Sequence, residues 1–186
     1  MAAEIERVYL LRALPTPLPR GEVWRIDQGY LPLNSTVSDG NSRGASASGD
    51  ASCAPIAPHQ LEGRLRRITH SDGSVEHIHT VKSGIGLVRQ EIERGIDAET
   101  FAREWPRTIG RRLEKVRTRI SVGDRLWEID QFTQIPLVLA ECELPSADAP
   151  LEIPDWLAPF IVREVTEEPA FRNAELALRS GLLTGQ

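Results

Sequence analysis

Cysteine is scarce in this 186-residue chain, with Cys53 and Cys142 the only two. They suggest neither a disulfide framework nor a zinc site, so a reducing, cytoplasmic setting is expected. Long apolar runs are missing too, and none approaches the roughly 20 residues that span a bilayer. The opening Met-Ala-Ala-Glu-Ile-Glu has no basic start followed by an apolar stretch, so no secretory leader is expected. Positive charge is not in excess. The 22 Lys and Arg face 27 Asp and Glu, a net charge of −5, which argues against a general nucleic-acid binder but leaves room for a local basic pocket. Ser35 and Ser83 lack a His–Asp arrangement that would make a hydrolase triad. His77 and His79 share a strand face but have no cysteine beside them, and a zinc site is not expected there. The four tryptophans form no stacking stripe.

The length suits a single domain over 1–186 with a sizeable core. Residues 34–60 are rich in Ser, Gly, Ala and Asp and can bury little apolar surface, so a flexible loop is expected, as an insertion rather than a flap over a site. Elsewhere the chain reads as short alternating strands: 4–11, 22–30, 61–69, 75–82, 86–94, 115–122, 125–132 and 138–144. Turns are expected at Ser71-Asp72-Gly73-Ser74 and Val122-Gly123-Asp124. Helices are expected from the N-cap Asp97 to about Trp105, over 154–162, and over 173–180.

Charge is the informative pattern. Side chains at i and i+2 on a strand point to one face. Glu4 and Glu6, Glu91 and Glu93, Glu128 and Asp130, and Glu141 and Glu143 are acidic pairs at that spacing, while Arg64 and Arg66, and Arg117 and Arg119, are basic ones. A solvated sheet face carries charge as a matter of course. It does not usually segregate charge by sign, because like charges on one face repel. A ligand with both signs explains the pattern: acids collect a divalent cation and arginines collect phosphate oxygens. If the sheet closes into a barrel, its interior could hold such a metal–polyphosphate complex.

These residues resemble the CYTH, or triphosphate tunnel metalloenzyme, family. Glu4-Ile5-Glu6-Arg7 is similar to the start of its Glu-x-Glu-x-Lys signature, and Gly29-Tyr30-Leu31 to its Gly-Tyr-Leu. Arg64-Leu65-Arg66, Val81-Lys82-Ser83, and Arg89-Gln90-Glu91-Ile92-Glu93 follow in the family's order. So do the stretch from Arg111 through Lys115 to Arg117, Trp127-Glu128-Ile129-Asp130, Ala140-Glu141-Cys142-Glu143-Leu144, and the stretch from Glu164 to Ala177. The resemblance implies an α+β fold, a closed eight-stranded antiparallel tunnel with a few flanking helices. It implies hydrolysis of a small triphosphate, inorganic tripolyphosphate first, with Mg2+ or Mn2+ as cofactor. The partner would be this small molecule, with no nucleic acid or membrane, and the protein a monomer or homodimer. Glu4, Glu6, Asp130, Glu141 and Glu143 would face the metal. Arg64, Arg66, Lys82, Arg89 and Arg117 would hold phosphates, with Arg172 helping. Tyr30 and Lys115 match the pair that activates water in the bacterial tripolyphosphatase branch.

One position departs from the pattern. Val8 stands where the signature has Lys, on the strand face of Glu4 and Glu6. A charged hydrogen bond to phosphate is worth about 1.5–3 kcal/mol, so weaker binding, a shifted substrate or loss of catalysis is expected. Two other readings stay open: an adenylyl cyclase of the same fold, and a non-catalytic binder of polyphosphate or nucleotide.

Overall fold

The computed structural model describes residues 5–32, 35, 37, 62–83, 90–146 and 148–184, with backbone alone at 62, 82–83, 90–91 and 183–184. The expected 34–60 loop, apart from Ser35 and Val37, lies outside the described residues, as do Glu4 and Arg89. Nine strands form one antiparallel sheet: β1 (Ile5–Leu11), β2 (Glu22–Tyr30), β3 (Glu62–His70), β4 (Val75–Ser83), β5 (Gln90–Gly95), β6 (Arg112–Val122), β7 (Arg125–Phe132), β8 (Val138–Leu144) and β9 (Ile161–Glu164). Their spatial order is β5-β4-β3-β2-β6-β7-β8-β1-β9. Among the described residues no hydrogen bonds join the edge strands β5 and β9.

One expectation is corrected. The 154–162 helix is only a 3-10 turn at Ala158–Phe160, followed by β9. Pro159 lacks the amide a helix interior needs, and the β-branched Ile161-Val162 pair favours a strand. The antiparallel sheet with few helices agrees with the expected α+β class; it has nine strands among the described residues, the ninth, β9, pairing with β1. The helix from Asp97 forms as expected: α1 (Ala98–Glu104) is capped by the Asp97 carboxylate, which accepts from the Thr100 amide at 2.6 Å. α2 (Asn173–Thr184) runs one turn beyond the expected end. No helix among the described residues is long and apolar enough to cross a membrane.

Register separates the two sheet faces. On one face Trp127, Ile129, Ala140 and Cys142 join Tyr9, Leu11 and Leu157 in an apolar core. On the other, the pairings Glu6–Glu143, Val8–Glu141, Glu141–Glu128, Glu128–Arg119, Asp130–Arg117, Gln28–Arg66 and Tyr30–Arg64 make one charged face across β1, β8, β7, β6, β2 and β3. α2 closes one end of it. Leu176 and Ala177 pack with Val8, Tyr30, Leu113, Phe132, Leu139 and Val165.

The seating of α2 depends on Gly181, where an added Cβ would lie 2.3 Å from the carbonyl oxygen of Gly110. Ala at a helix position normally gains up to about 1 kcal/mol over Gly. Here the clash is with backbone, which cannot step aside as a flexible side chain would. Gly181→Ala is therefore expected to destabilise the protein by about 1–3 kcal/mol, read as a lowered urea midpoint with an unchanged slope.

Candidate active site

Arg117 is the hub of the charged face. Its Nε donates to Asp130 Oδ1 at 2.7 Å, and its Nη2 to Asp130 Oδ2 and Glu141 Oε2, both at 2.6 Å. Its Nη1 binds Glu128. Lys115, two residues back on the same face of β6, donates from Nζ to Asp130 Oδ2 at 2.5 Å and to Asn173 Oδ1, at the start of α2, at 3.3 Å. Asp130 is 0% exposed and Lys115 3%. A carboxylate so deep is tolerated because two cations satisfy both of its oxygens.

The electrostatics follow from this packing. Burial alone would raise the Asp130 carboxyl, but Arg117 and Lys115 hold it well below the usual carboxylate range. Burial would lower Arg117, and the carboxylates of Asp130, Glu141 and Glu128 raise it above its ordinary value. Lys115 goes the other way. Burial and the neighbouring Arg117 lower it, and Asp130 and Glu141 offset this only in part.

A second cationic cluster lies across β3. Arg64 Nη2 donates to Thr80 Oγ1 at 3.1 Å and sits 3.5 Å from Glu93, which Arg66 approaches at 4.0 Å. Burial and the adjacent Arg64 depress Arg66 to about 10. Its Nε is buried with no hydrogen-bond partner among the described residues. A donor in that state suits an incoming anion, which would supply the missing acceptor. Lys82 lies on β4 opposite Glu62. Arg172 is exposed in the turn before α2 and makes no ion pair among the described residues.

Tyr30 on β2 and Lys115 on β6 share this face. The Tyr30 hydroxyl accepts from Gln28 Nε2 at 2.7 Å. The Tyr30 amide bonds Arg111, four residues before Lys115, an offset of about 13 Å along the strand. Among the acids, Glu6 and Glu143 are exposed and directly opposite across β1 and β8. Glu141 is engaged by Arg117 through one oxygen, Oε2. No group of three or more acid, His or Cys side chains suited to a metal forms among the described residues. The Glu6–Glu143 pair nonetheless fits Mg2+, which is bound by one or two carboxylates together with substrate phosphates and water.

No family model matches the chain. It is 35% identical over 182 residues to an inorganic triphosphatase of Nitrosomonas europaea, covering 94% of this chain and 97% of that protein. The chain belongs to the CYTH family of inorganic triphosphatases. An inorganic triphosphatase of Acetivibrio thermocellus is 38% identical over 66 residues, 34% of this chain and 40% of its own. A crystal structure of an inorganic triphosphatase superposes with a TM-score of 0.58 at 32% identity, covering 96% of both chains. Within this CYTH chain, the residues that sequence reasoning left out of the site are Gln28, Thr80, Glu93, Arg119, Glu128 and Asn173. The i, i+2 rule reaches Arg119 and Glu128, which stand two residues from the site candidates Arg117 and Asp130, while Glu93 stands four from Arg89. Nothing local marks Asn173, which meets Lys115 only because α2 folds back onto β6.

Proposed function

We propose that this protein hydrolyses inorganic triphosphate on the charged face of its sheet, which curls into a tunnel plugged at one end by α2. The observation that carries the reading is the gathering of buried Arg64 with half-buried Arg66 and Arg117 on one face, with a buried Arg66 donor left for a ligand. Stability alone does not favour so many enclosed charges, whereas phosphoryl transfer needs a positioned cationic enclosure of this kind.

In this proposal Arg64 and Arg66 hold phosphate oxygens in forked contacts, and Arg117, with four of its five N–H groups on Asp130, Glu141 and Glu128, offers its remaining donor. Asp130 orients Arg117 and Lys115 and is spent on them rather than on a metal. Lys115, with its proton loosened by burial, keeps one donor for a phosphate or the attacking water. Tyr30 orients water from the plugged end. Glu6, Glu143 and the second oxygen of Glu141 would hold a divalent metal, Mg2+ or Mn2+. When bound, that ion neutralises charge developing on the transferred phosphoryl group.

Phosphate release from tripolyphosphate, ATP and thiamine triphosphate tests the reading. Release from tripolyphosphate is expected with Mg2+ or Mn2+, to stop with EDTA, and to return when excess metal is added. Release that persists in EDTA counts against the metal. Tight tripolyphosphate binding without turnover would favour the non-catalytic reading that Val8 motivates, and cyclic nucleotide formed from ATP would favour the cyclase.

A further inference from the structure

The charged face continues past Arg117. On β6 it runs to Arg119, paired with Glu22 on β2 and Glu128 on β7, and then to Ser121 opposite Leu126, where Gly123 (φ 59°) turns the chain into β7. A cleft of about 580 Å³ opens there, lined by Arg20, Arg119 and Arg125 with Glu22 and Asp124. α2 plugs the opposite end, so this cleft is the solvent side of the Lys115–Arg117–Arg119 ladder. The ladder's steps are about 6.7 Å apart.

Three cations meet two acids here, and the pairing leaves cationic capacity over. Arg119 is pre-organised: its guanidinium stacks 4.2 Å over Trp24, Nε donates to Glu128 at 3.0 Å, and Nη1 to Glu22 at 3.3 Å. Its Nη2 makes no hydrogen bond among the described residues. Arg20 is exposed and makes no ion pair among the described residues. Among the described residues Arg125 forms an ion pair with Asp124 alone, at 3.7 Å, and Asp124 is 83% exposed. Such a contact is worth little. The chain entering β2 can lie against β6 because residue 21 is glycine, where a Cβ would stand 2.3 Å from the Arg119 carbonyl oxygen.

We propose that this cleft is a second anion subsite, which holds the overhanging phosphates of a linear inorganic polyphosphate of four or more units. This rests on the triphosphatase reading, with the inner phosphates on Arg64, Arg66 and Arg117. The test compares tripolyphosphate with tetrapolyphosphate at fixed ionic strength, for the wild type and for Arg20→Ala/Arg125→Ala. KM for tetrapolyphosphate is expected to rise about tenfold in the variant, and several times more than KM for tripolyphosphate. An equal rise for both would mean general electrostatic steering and would overturn the subsite. Calorimetric titration of both compounds onto both proteins separates the two readings. If neither compound is hydrolysed, the enzymatic reading falls, while a selective loss of tetrapolyphosphate binding in the variant still supports the subsite. Equal loss, or none, removes it.

Discussion

Asp130→Ala is expected to destabilise the protein by about 3–5 kcal/mol, because it leaves buried Lys115 without its carboxylate and takes one of three from Arg117. Arg117 would keep Glu141 and Glu128, but among the described residues Lys115 would keep uncharged partners alone, the Asn173 oxygen at 3.3 Å and the Phe132 ring at 5.6 Å. Against a typical total of about 5–15 kcal/mol this is a large fraction, and the variant risks not folding. The double variant Asp130→Asn/Lys115→Met keeps the question answerable, since it removes one charge of each sign and preserves most of the volume. It is expected to recover most of the stability and none of the activity. The urea midpoints of the two variants, set beside phosphate release, separate the structural from the catalytic part. A midpoint unchanged in Asp130→Ala would mean that the Asp130–Lys115–Arg117 cluster does not hold the fold.

The same cluster predicts the acid limb of stability. The Asp130 carboxyl lies lower in the folded state than its unfolded value, which is about 3.9. The folded protein therefore binds fewer protons than the unfolded chain in the window between the two values. The stabilisation is complete above the unfolded value and is lost as pH falls through the depressed folded one. Stability curves of the wild type and Asp130→Asn are expected to run apart above about pH 5 and to converge below pH 4. Parallel curves over that range would deny Asp130 this role.

The strands were legible because their alternation is strict. Ile129 between Glu128 and Asp130, and Leu65 between Arg64 and Arg66, announce period two. β2, β7 and β8 begin and end where the pattern put them. β9 was missed because four residues, exposed but for Ile161, carry no alternation and pair only with an edge. The gathering of charge on one face was also legible, since i, i+2 spacing settles it before any tertiary contact forms. The pairing across strands was not. Asp130 reads as an acid like Glu141, yet register places it opposite Arg117 and diagonal to Lys115, and its carboxylate is consumed there. Sequence supplies the face a side chain takes, while register supplies its neighbours, and register was beyond a reading of single strands.

Val8→Lys carries the largest expected gain. Val8 lies opposite Glu141 and packs in the apolar cluster under α2, with its carbonyl bonded to the Val165 amide and its own amide to Thr166 Oγ1 at 3.0 Å. A lysine there would send its ammonium along the face shared by Glu6 and Glu141. One recovered charged contact to phosphate is worth about 1.5–3 kcal/mol, so KM for tripolyphosphate is expected to fall by about tenfold or more, at a cost in stability for opening the packed site. Buried lysines keep their charge only where a partner is at hand, and Glu141 still has one oxygen that Arg117 does not use. The opposite result has an equally specific meaning. If KM stays level while the urea midpoint drops, Arg117 has taken over the neutralisation of Glu141, and valine fills a position that the network no longer needs to charge. Activity measured at several metal concentrations tells the two apart, because a lysine that captures Glu141 from Arg117 would also compete with the metal, and the metal requirement would rise with it.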